Sequence, residues 1–390
     1  MTPEPPLFFL VAGEASGDLL GARLMAALKK KTNGKVRFAG VGGPRMQAEG
    51  IELLFPQSDL AHMGLFELIR HLPLIFRRMR EVVAAVKTLR PAALVTIDSP
   101  DFSFRVAKKL KGQGIPLIHI VAPSVWAWRA GRAKKVADFL DHLLALLPFE
   151  PPYFTKEGLP CTFVGHPLVE SGAGHGDGAR FRAVRGIGEK ALFLAVLPGS
   201  RVGEVGRLLP VFGEVIARLH DAHPTLEVVV PVVPAVEAMI RQAAQSWPVP
   251  VHFTQNDADK YDALAACRAA LACSGTVSVE LAMAGVPSVI AYRIGALTAA
   301  LYRRLIKVRF ATLLNIMQDR EVMPEFIQAD CTADKITPAL DLLLTDDRAA
   351  AAQKKDLTAM AGWLGQGVFI PSEKAAETVW NAAFSLGEGA

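Results

Sequence analysis

Residues 7–31 read LFFLVAGEASGDLLGARLMAALKKK, and this stretch decides the fold. Its first six residues, Leu7–Ala12, are apolar and predict a buried β-strand. From Asp18 to Lys31, leucines recur at helical spacing and predict a helix. A turn containing Gly13 and Gly17 joins the strand to the helix. A strand, a glycine-containing turn and a helix in this order are typical of a parallel α/β fold, in which helices connect neighbouring strands.

The same alternation continues along the chain in two series. The first series has further strands predicted at Val36–Val41, Ala92–Ile97, Pro116–Val121, Leu143–Leu147 and Thr162–Val164. The second has strands predicted at Ala191–Leu197, Glu227–Val233, Val249–Phe253, Ala269–Ala272 and Val286–Ala291. Between them, the glycine-rich stretch Ser171–Gly178 predicts a linker. We therefore expect an α/β protein of two Rossmann-like lobes that face each other across a cleft.

Composition excludes several classes of protein. The chain has 390 residues, 51% of them hydrophobic and 21% charged, which is ordinary globular usage. Its four cysteines form no CxxC pair and show no zinc-finger spacing, so they predict free thiols rather than a disulfide scaffold or a zinc module. No basic signal-peptide region and no run of 18 apolar residues occurs, so no membrane span is predicted. The net charge of +5 is compatible with nucleic acid, an anionic membrane surface or phosphorylated substrates as partners and does not distinguish among them.

Two loops after predicted strands of the first series carry candidate chemistry. The first loop, which opens a helix, offers backbone N–H groups and a positive dipole end to an anion. Its candidate residues are Gly13, Glu14, Ser16 and Gly17; the alternative is a plain turn with Ser16 or Asp18 as the helix cap. The second loop places Asp98 at the end of an apolar strand, where a carboxylate could take a proton from a substrate hydroxyl. A related glycine cluster, Gly40–Pro44, follows the second predicted strand and has the same two interpretations.

Two loops of the second series predict binding of a diphosphate. The loop after strand Ala191–Leu197 contains Ser200 and Arg201, and the guanidinium fork of an arginine suits a diphosphate. The loop formed by Ser274, Gly275 and Thr276 opens another helix, and Glu280 follows one turn later, within reach of a ribose. Two diphosphate loops and a ribose carboxylate, together with a base in the other lobe, describe a glycosyltransferase that uses a sugar nucleotide.

One acidic triplet, Asp257-Ala258-Asp259, could hold a metal ion. It also stands at the start of a predicted helix, where acidic residues complement the helix dipole. The second interpretation is favoured, so transfer without a metal is expected, with Arg201 and helix dipoles stabilising the leaving diphosphate. His119 and His166 lie near strand ends and are interpreted as buried structural residues.

The segment Leu60–Val86 combines apolar residues at helical spacing with arginines, and Pro73 is expected to interrupt it. An apolar face beside arginines can lie on an anionic bilayer or hold acyl chains. Such a stripe can equally pack on the sheet as an ordinary amphipathic helix. The candidate contacts to membrane or acyl chain are Leu65, Phe66, Ile69, Phe76, Arg77 and Arg78. A second basic and apolar patch spans Tyr302–Phe310.

Eight motifs in the chain resemble the lipid-A-disaccharide synthase family, in order between about residues 7 and 340. They are Gly13–Asp18 (GEASGD), Gly40–Pro44 (GVGGP), Asp98–Phe102 (DSPDF), Pro123–Arg129 (PSVWAWR), Leu147–Pro152 (LPFEPP), Phe163–Leu168 (FVGHPL), Leu197–Arg201 (LPGSR) and Ser274–Glu280 (SGTVSVE). The resemblance implies a GT-B fold and lipid A assembly in a Gram-negative bacterium. It further implies inverting transfer of 2,3-diacylglucosamine from its UDP form to 2,3-diacylglucosamine 1-phosphate, giving a β-1,6 disaccharide 1-phosphate and UDP.

The resemblance also implies residue roles and domain roles. Asp98 matches the proposed general base, Arg201 and Glu280 match nucleotide contacts, and Ser16 belongs to the loop in the cleft. Residues 1–168 are expected to bind acceptor and lipid, and residues 169–371 to bind the UDP-sugar. A C-terminal helix at about 372–390 is expected to cross back to the first domain.

A Leu-Pro-Asn segment of the family corresponds to Leu313-Leu314-Asn315 here, so Leu314 replaces the usual proline. The residues that the resemblance places on the nucleotide side are Asn315, Glu321 and Gln328.

The expected partners are UDP-diacylglucosamine, diacylglucosamine 1-phosphate and the cytoplasmic membrane surface, on which the protein would be peripheral. No nucleic acid, metal or other cofactor is expected, and the oligomeric state is left open, a homo-oligomer included. Two alternatives remain. A UDP-sugar 2-epimerase would share the nucleotide half but would need further cleft carboxylates or a histidine in the first domain. A non-catalytic basic membrane-binding protein would leave both diphosphate loops without a role.

Overall fold

The computed structural model describes residues 4–61, 67–127, 131–254, 256–295 and 308–385. The chain divides into two units, each built around one parallel β-sheet. The first unit contains Met1–Pro167 and Val368–Ala390, and the second contains Leu168–Gly367. The sequence places the first boundary one residue later, after residue 168, and returns the chain to the first domain from about residue 372.

Thirteen strands and sixteen helices make up the described part of the chain. The strands are β1 (Leu7–Ala12), β2 (Arg37–Val41), β3 (Glu52–Leu53), β4 (Ala93–Ile97), β5 (Leu117–Ile120), β6 (His142–Ala145), β7 (Cys161–Phe163), β8 (Leu192–Leu197), β9 (Leu226–Pro231), β10 (Val251–Thr254), β11 (Ala269–Cys273), β12 (Ser288–Tyr292) and β13 (Glu325–Ile327). The helices are α1 (Ala15–Thr32), α2 (Pro44–Ala48), α3 (Ser58–Ala61), α4 (Glu67–Leu89), α5 (Pro100–Leu110), α6 (Arg132–Ala137), α7 (Pro151–Thr155), α8 (Gly178–Arg185), α9 (Val202–Ala222), α10 (Glu237–Ala244), α11 (Asp257–Ala266), α12 (Thr276–Ala284), α13 (Leu313–Gln318), α14 (Ala333–Thr345), α15 (Asp347–Trp363) and α16 (Pro371–Ser385).

The first sheet has seven strands in the order β3-β2-β1-β4-β5-β6-β7. The chain first builds outward from β1 on one side and then returns to build outward from β4 on the other. β1 and β4 pair in parallel, with Phe8 opposite Ala93 and Ala12 opposite Ile97. Strand order therefore reverses between β1 and β4, and the carboxyl ends of these two strands flank a topological switch point.

Alternating residues of β1 build the two cores of the first unit. Phe9 and Val11 face one hydrophobic cluster, and Phe8 and Leu10 face another. The C-terminal helix α16 closes the second cluster, where the rings of Trp380 and Phe384 lie 6.1 and 6.5 Å from that of Phe8. The last helix is thus part of the first unit.

The second sheet has six strands in the order β10-β9-β8-β11-β12-β13, so its switch point lies between β8 and β11. In its hydrophobic core, α9 packs against the sheet through apolar residues spaced four apart. Leu208, Phe212 and Ile216 are fully buried there. The spacing of these apolar residues explains why α9 forms and which of its faces is buried.

The sequence placed β1 at the bounds that the structure has. It missed β3 and β13, which are two and three residues long and each begin with a glutamate. The expectation that Pro73 interrupts its segment is wrong, because α4 continues through it. A proline inside a helix removes one backbone hydrogen bond but need not end a helix whose other residues pack well.

Candidate active site and nucleotide site

Asp98 stands at the carboxyl end of β4 in a constrained turn. Its backbone is in the left-handed region (φ 53°), as is that of Ser99 (φ 44°), a conformation uncommon outside glycine. Its N–H donates to the carbonyl of Ile120 at 3.0 Å, and the hydroxyl of Ser103 donates to its carbonyl at 2.8 Å. Backbone strain of this kind clusters at functional sites. The turn aims the carboxylate out of the strand end at the switch point.

The loop after β1 contacts this carboxylate directly. The hydroxyl of Ser16 donates to Oδ2 of Asp98 at 3.1 Å, while the N–H of Ser99 donates to Oδ1 at 2.8 Å. Gly13 is required here, because a Cβ at this position would lie 2.5 Å from the hydroxyl of Ser99. The structure therefore brings the loop that contains Gly13 and Ser16 against Asp98, which the sequence had placed on a second loop.

The start of α1 is open toward solvent. Glu14 is its N-cap residue, is exposed and makes no side-chain cap bond. The side chain of Gln57 fixes this loop, because its amide donates to the carbonyls of Ala12 and Glu14 at 3.0 and 2.9 Å. Gly17 lets α1 start close to the sheet, since a Cβ would lie 3.3 Å from the carbonyl oxygen of Ile97. First-turn N–H groups without a cap can accept an anion.

Asp18 is not the cap of its own helix. It is buried, and its carboxylate accepts hydrogen bonds from the N–H groups of Gly43, Arg45 and Met46 at 2.8 to 3.0 Å. These N–H groups lie at the start of α2, so Asp18 caps that helix instead. The Gly40–Pro44 loop therefore already holds an internal carboxylate, and its reading as a second anion loop is wrong.

In the second unit, the loop after β8 places Arg201 at the surface. Gly199 makes the turn with φ 114°, and Arg201 is the N-cap residue of α9, with 80% of its side chain exposed. Its guanidinium lies 3.0 Å from Glu204, which also accepts a hydrogen bond from the hydroxyl of Tyr292 at 3.2 Å. Glu204 raises the pKa of Arg201, which keeps its charge. Sequence reasoning missed Glu204, although it lies one helical turn after the arginine.

The loop after β11 lies on the other side of the same switch point. Gly275 has φ 149° and is the N-cap residue of α12, and both it and Thr276 are exposed. The hydroxyl of Ser274 donates to the carbonyl of Ala311, which ties this loop to the segment before α13. Two helix N-termini, those of α9 and α12, thus flank one switch point, an arrangement suited to a diphosphate.

Glu280 is mostly buried beside a lysine. The ammonium of Lys260 lies 3.2 and 3.3 Å from its two carboxylate oxygens. Burial raises the pKa of Glu280, and the positive charge of Lys260 opposes that shift. Glu280 is therefore not a solvated surface residue, since only 18% of its side chain is exposed. Lys260 was not identified from the sequence, because it lies on α11, 20 residues away.

Asn315 is a structural residue in this conformation. It is fully buried, and its amide donates to the carbonyl of Met323 and to Glu325, both at 2.8 Å. Its Oδ1 accepts from the N–H groups of Val322 and Met323 at 2.7 and 3.0 Å. All four hydrogen-bonding positions of this amide are used within the protein. In this conformation the amide of Asn315 fixes the 320–325 loop, and its expected contact with the nucleotide stays a prediction.

Gln328 lies after β13 with a left-handed backbone (φ 56°). In the orientation that satisfies both atoms of its amide, it donates to the carbonyl and accepts from the N–H of Ile294, each at 3.2 Å. Gln328 thus joins the segments that follow β12 and β13. Glu321, the third residue that the resemblance places here, accepts from the N–H of Glu325 at 3.2 Å.

The acidic triplet is engaged in ion pairs rather than free for a cation. Asp259 pairs with Arg185 at 2.9 Å, and Asp257 pairs with Lys260 at 3.1 Å. Both aspartates lie in the first turn of α11, as the helix-start interpretation predicts. His119 and His166 are buried, and burial lowers their pKa values to about 3 and about 4. Both imidazoles are therefore neutral near neutral pH, in agreement with their interpretation as buried residues.

Helix α4 presents a mixed apolar and basic face. Leu72, Phe76, Arg77 and Arg80 are exposed and recur at helical spacing, while Met79, two turns after Leu72, is buried. Leu65 and Phe66 lie outside the described residues, as does most of Tyr302–Phe310, and the side chain of Ile69 is not described. In the described part of the chain, no helix combines the length and apolar character needed to cross a membrane.

Arg78 does not belong to this exposed face. Its guanidinium pairs with Asp59 and with Glu81, both at 2.6 Å, and lies 4.6 Å from the ring centre of Phe55. Only 19% of its side chain is exposed. The prediction that Arg78 contacts a membrane is therefore wrong, because the side chain is used to hold α3 against α4. Arg77, which is 63% exposed, fits the prediction better.

Comparison with known proteins identifies the family. A sequence model described as Lipid-A-disaccharide synthetase matches residues 8–377. The lipid-A-disaccharide synthase of Rhodospirillum centenum is 57% identical over 380 residues, which cover 97% of this chain and 95% of that protein. The chain belongs to the lipid-A-disaccharide synthetase family. It is therefore a glycosyltransferase of lipid A biosynthesis, and the alternative of a non-catalytic membrane-binding protein is wrong.

Solved structures share the fold of this family member at low identity. The UDP-GlcNAc 2-epimerase from Neisseria meningitidis bound to UDP-GlcNAc superposes with a TM-score of 0.63 at 12% identity, covering 96% of this chain and all of that one. MurG from Acinetobacter baumannii gives 0.60 at 12% identity, covering 97% of this chain and all of that one. These likenesses bear on fold alone. They confirm the predicted α/β class with two Rossmann-like lobes of the GT-B type.

Proposed function

We propose that this enzyme transfers 2,3-diacylglucosamine from UDP-2,3-diacylglucosamine to 2,3-diacylglucosamine 1-phosphate, forming a β-1,6-linked disaccharide 1-phosphate and UDP. The name of its relatives supports the class of product. The observation that carries the proposal is the Asp98 turn. A carboxylate held by a strained backbone, at the switch point of a parallel sheet and against an uncapped helix start, is placed to act on a bound hydroxyl.

Asp98 acts as the general base. Its carboxylate takes the proton from the 6-hydroxyl of the acceptor, and the oxygen attacks the anomeric carbon of the donor. The bond from that carbon to the diphosphate breaks in the same step, and its electron pair leaves with UDP. A single in-line displacement inverts the α-linked donor to a β-linked product and needs one base and no enzyme nucleophile. Ser16, which donates to Asp98, keeps the carboxylate oriented.

The second unit binds UDP. Arg201 and the starts of α9 and α12 compensate the negative charge that develops on the diphosphate as it leaves. Glu280, held by Lys260, accepts hydrogen bonds from the ribose hydroxyls. We infer that no metal ion takes part, because positive charge is supplied by the protein and the one acidic triplet is paired with Arg185 and Lys260. Full activity after treatment with EDTA would agree with this, and loss that Mg²⁺ restores would contradict it.

Both substrates carry acyl chains, so the enzyme needs access to a membrane surface. Extracting a chain into water costs about 0.8 kcal/mol per exposed CH₂. In a parallel α/β unit, helices run opposite to the strands, so the start of α4 lies toward the carboxyl edge that holds Asp98. The exposed Leu72, Phe76, Arg77 and Arg80 on this helix support a peripheral position on the cytoplasmic face of the inner membrane.

Mass spectrometry of the products tests the proposal. The purified enzyme is incubated with UDP-2,3-diacylglucosamine alone, and then with 2,3-diacylglucosamine 1-phosphate added. We expect the disaccharide 1-phosphate and an equal amount of UDP only when both are present, with a β-anomeric proton in the product by NMR. Conversion of the donor alone to an epimer would favour the 2-epimerase alternative instead.

A further inference from the structure

A basic pocket in the first unit lies between α5 and α6. It encloses about 190 Å³, with a floor formed by Phe104, Val136 and Phe139. Its charged lining residues are Asp101, Arg105, Lys108, Arg132 and Lys135. Two helices that face each other usually place opposite charges across the gap, because like charges repel. Here four cations and one carboxylate converge, so the pocket is suited to an anion.

The cations are available to a ligand. Among the described residues, no ion pair engages Arg105, Lys108, Arg132 or Lys135. Two of them are held against the aromatic floor. The guanidinium of Arg132 lies 5.5 Å from the ring centre of Phe104, and the ammonium of Lys108 lies 5.1 Å from that of Phe139. Such contacts position a positive group without neutralising its charge.

The pocket begins beside the proposed catalytic turn. Pro100 and Asp101, which line it, are two and three residues after Asp98 at the start of α5. Arg105 and Lys108 follow along the same face of that helix, four and seven residues after Asp101. A ligand bound here would therefore extend along α5 from the carboxyl edge of the sheet.

We propose that this pocket binds a phosphate ester that carries hydroxyl groups. A phosphate monoester has a charge of about −1.5 to −2 near neutral pH, which matches several cations better than a single carboxylate does. The lone carboxylate, Asp101, would accept a hydrogen bond from a hydroxyl of the same ligand. Both a sugar 1-phosphate and the glycerol phosphate headgroup of an anionic lipid are phosphate esters that carry hydroxyl groups. The first is a monoester, and the second is a diester with a single negative charge. Only the sugar 1-phosphate source rests on the proposed function.

Two pairs of lysines on the same helices give a matched test. Lys108→Gln with Lys135→Gln removes two charges inside the pocket. Lys109→Gln with Lys134→Gln removes two charges from exposed neighbours that do not line it. Arg132 is left intact because it packs on Phe104. The probes are glucosamine 1-phosphate, with glucosamine as its control, measured by calorimetry, and phosphatidylglycerol vesicles, with phosphatidylcholine as their control, measured by sedimentation.

We expect the pocket pair to weaken binding of a phosphate probe by about tenfold or more, and the neighbouring pair by less than about twofold. Loss of glucosamine 1-phosphate binding identifies a sugar phosphate, and loss confined to phosphatidylglycerol vesicles identifies a headgroup. Equal effects of the two pairs, or no effect of either on any probe, would overturn the proposal. The single variant Lys135→Gln serves as a second test if the pocket pair lowers the melting temperature.

The pocket and the proposed function fail independently. If the sugar phosphate is the ligand, the pocket pair raises KM for the phosphorylated acceptor and leaves KM for the UDP donor unchanged. If the wild-type enzyme makes no disaccharide yet binds glucosamine 1-phosphate through Lys108 and Lys135, the pocket stands and the proposed reaction falls. If it makes the disaccharide while both pairs leave every probe unaffected, the reaction stands and the pocket falls.

Discussion

At the residue scale, a substitution of Asp98 can remove the charge of the side chain and keep the conformation of the backbone. Aspartate and asparagine tolerate the left-handed backbone better than other non-glycine residues, so Asp98→Asn keeps the turn (φ 53°) while removing the base. We expect turnover to fall by roughly 10²–10⁴-fold, with the melting temperature and UDP affinity unchanged. Steady-state kinetics beside a UDP titration measures this. Glu157→Gln, at an exposed carboxylate far along the chain, is the control; near-wild-type turnover of Asp98→Asn would remove Asp98 from the mechanism.

For Asn315 we predict a loss of stability rather than a loss of turnover. Asn315→Ala leaves the N–H groups of Val322 and Met323 and the carbonyl of Met323 buried without partners. Each unpaired buried group costs about 1–3 kcal/mol, so we expect the free energy of unfolding to fall by several kcal/mol. Chemical denaturation measures it. An unchanged free energy of unfolding combined with weaker UDP binding would instead support the nucleotide role that the resemblance implies.

The two residues show what sequence reasoning can reach at this scale. Asp98 and Arg201 were proposed as site residues because their residue types and their positions after a strand indicate their chemistry, and these roles stay predictions. Asn315 was assigned to the nucleotide from a sequence motif, and a motif carries no information on the partners to which the amide of Asn315 hydrogen-bonds. Those bonds depend on Glu325 and on the 320–325 loop, which only the folded chain brings to the asparagine.

At the element scale, α4 tests membrane docking. Leu72→Ser with Phe76→Ser removes exposed apolar surface, so we expect weaker sedimentation with anionic vesicles and an unchanged melting temperature. Arg77→Glu with Arg80→Glu should weaken binding by about 1 kcal/mol for each charge removed, less at high salt. Met79→Ser, on the buried side, is the control that lowers stability instead. Unchanged vesicle binding in both exposed variants would contradict docking by this helix.

Glu150 links two elements and predicts a dependence of stability on pH. It is buried at the start of α7 and accepts from the indole N–H of Trp126 at 3.2 Å and from the N–H of Leu147 at 3.1 Å. Burial raises its pKa from 4.5 to about 7. Between these pH values the folded protein binds more protons than the unfolded chain, so this group lowers the free energy of unfolding as pH rises.

Glu150→Gln removes that titration. The free energy of unfolding of the variant, relative to wild type, should rise by about 3 kcal/mol between pH 4.5 and pH 7.5. Denaturation at several pH values, with the exposed Glu157→Gln as the reference, separates the contribution of Glu150 from that of the buried histidines. Below pH 6.5 the histidines make the free energy of unfolding rise with pH, because burial lowers their pKa values. A difference that does not change with pH would show that the pKa of Glu150 is the same in the folded and the unfolded protein.

Periodicity explains which elements could be predicted. Strands such as β1 and helices such as α9 are long enough for their burial pattern to appear in the sequence. The short β3 and β13 carry no such pattern and form because a neighbouring strand is already in place. The exposed face of α4 illustrates a further limit. The stripe of apolar residues was visible, but that Met79 faces inward and Phe76 outward depends on how the helix packs.

At the scale of the whole molecule, the chain builds two units of different kinds. The first needs both ends of the chain, because α16 covers Phe8 of β1. The second is one continuous segment, Leu168–Gly367, whose hydrophobic core comes from its own helices and strands. A continuous segment with its own core is expected to fold alone. The sequence predicts a linker at Ser171–Gly178, a few residues inside the second unit, and it cannot show which rings α16 covers.

This difference yields the last prediction. A fragment of residues 168–367 should fold and bind UDP with a Kd within about threefold of that of the full chain, since both helix starts at its switch point lie inside it. Arg201→Ala in the fragment should weaken UDP binding by about tenfold, because it removes a charge-assisted contact to the diphosphate. Arg207→Ala is the matched control: it lies on the same helix and is exposed, and its guanidinium donates to the carbonyl of Gly203. Titration calorimetry measures the Kd of UDP for each fragment, after a cooperative melting curve has shown that the fragment is folded. A folded fragment that fails to bind UDP, when the full chain binds it, would place the nucleotide outside the β8 and β11 loops and would move Arg201 from ligand binding to its ion pair with Glu204.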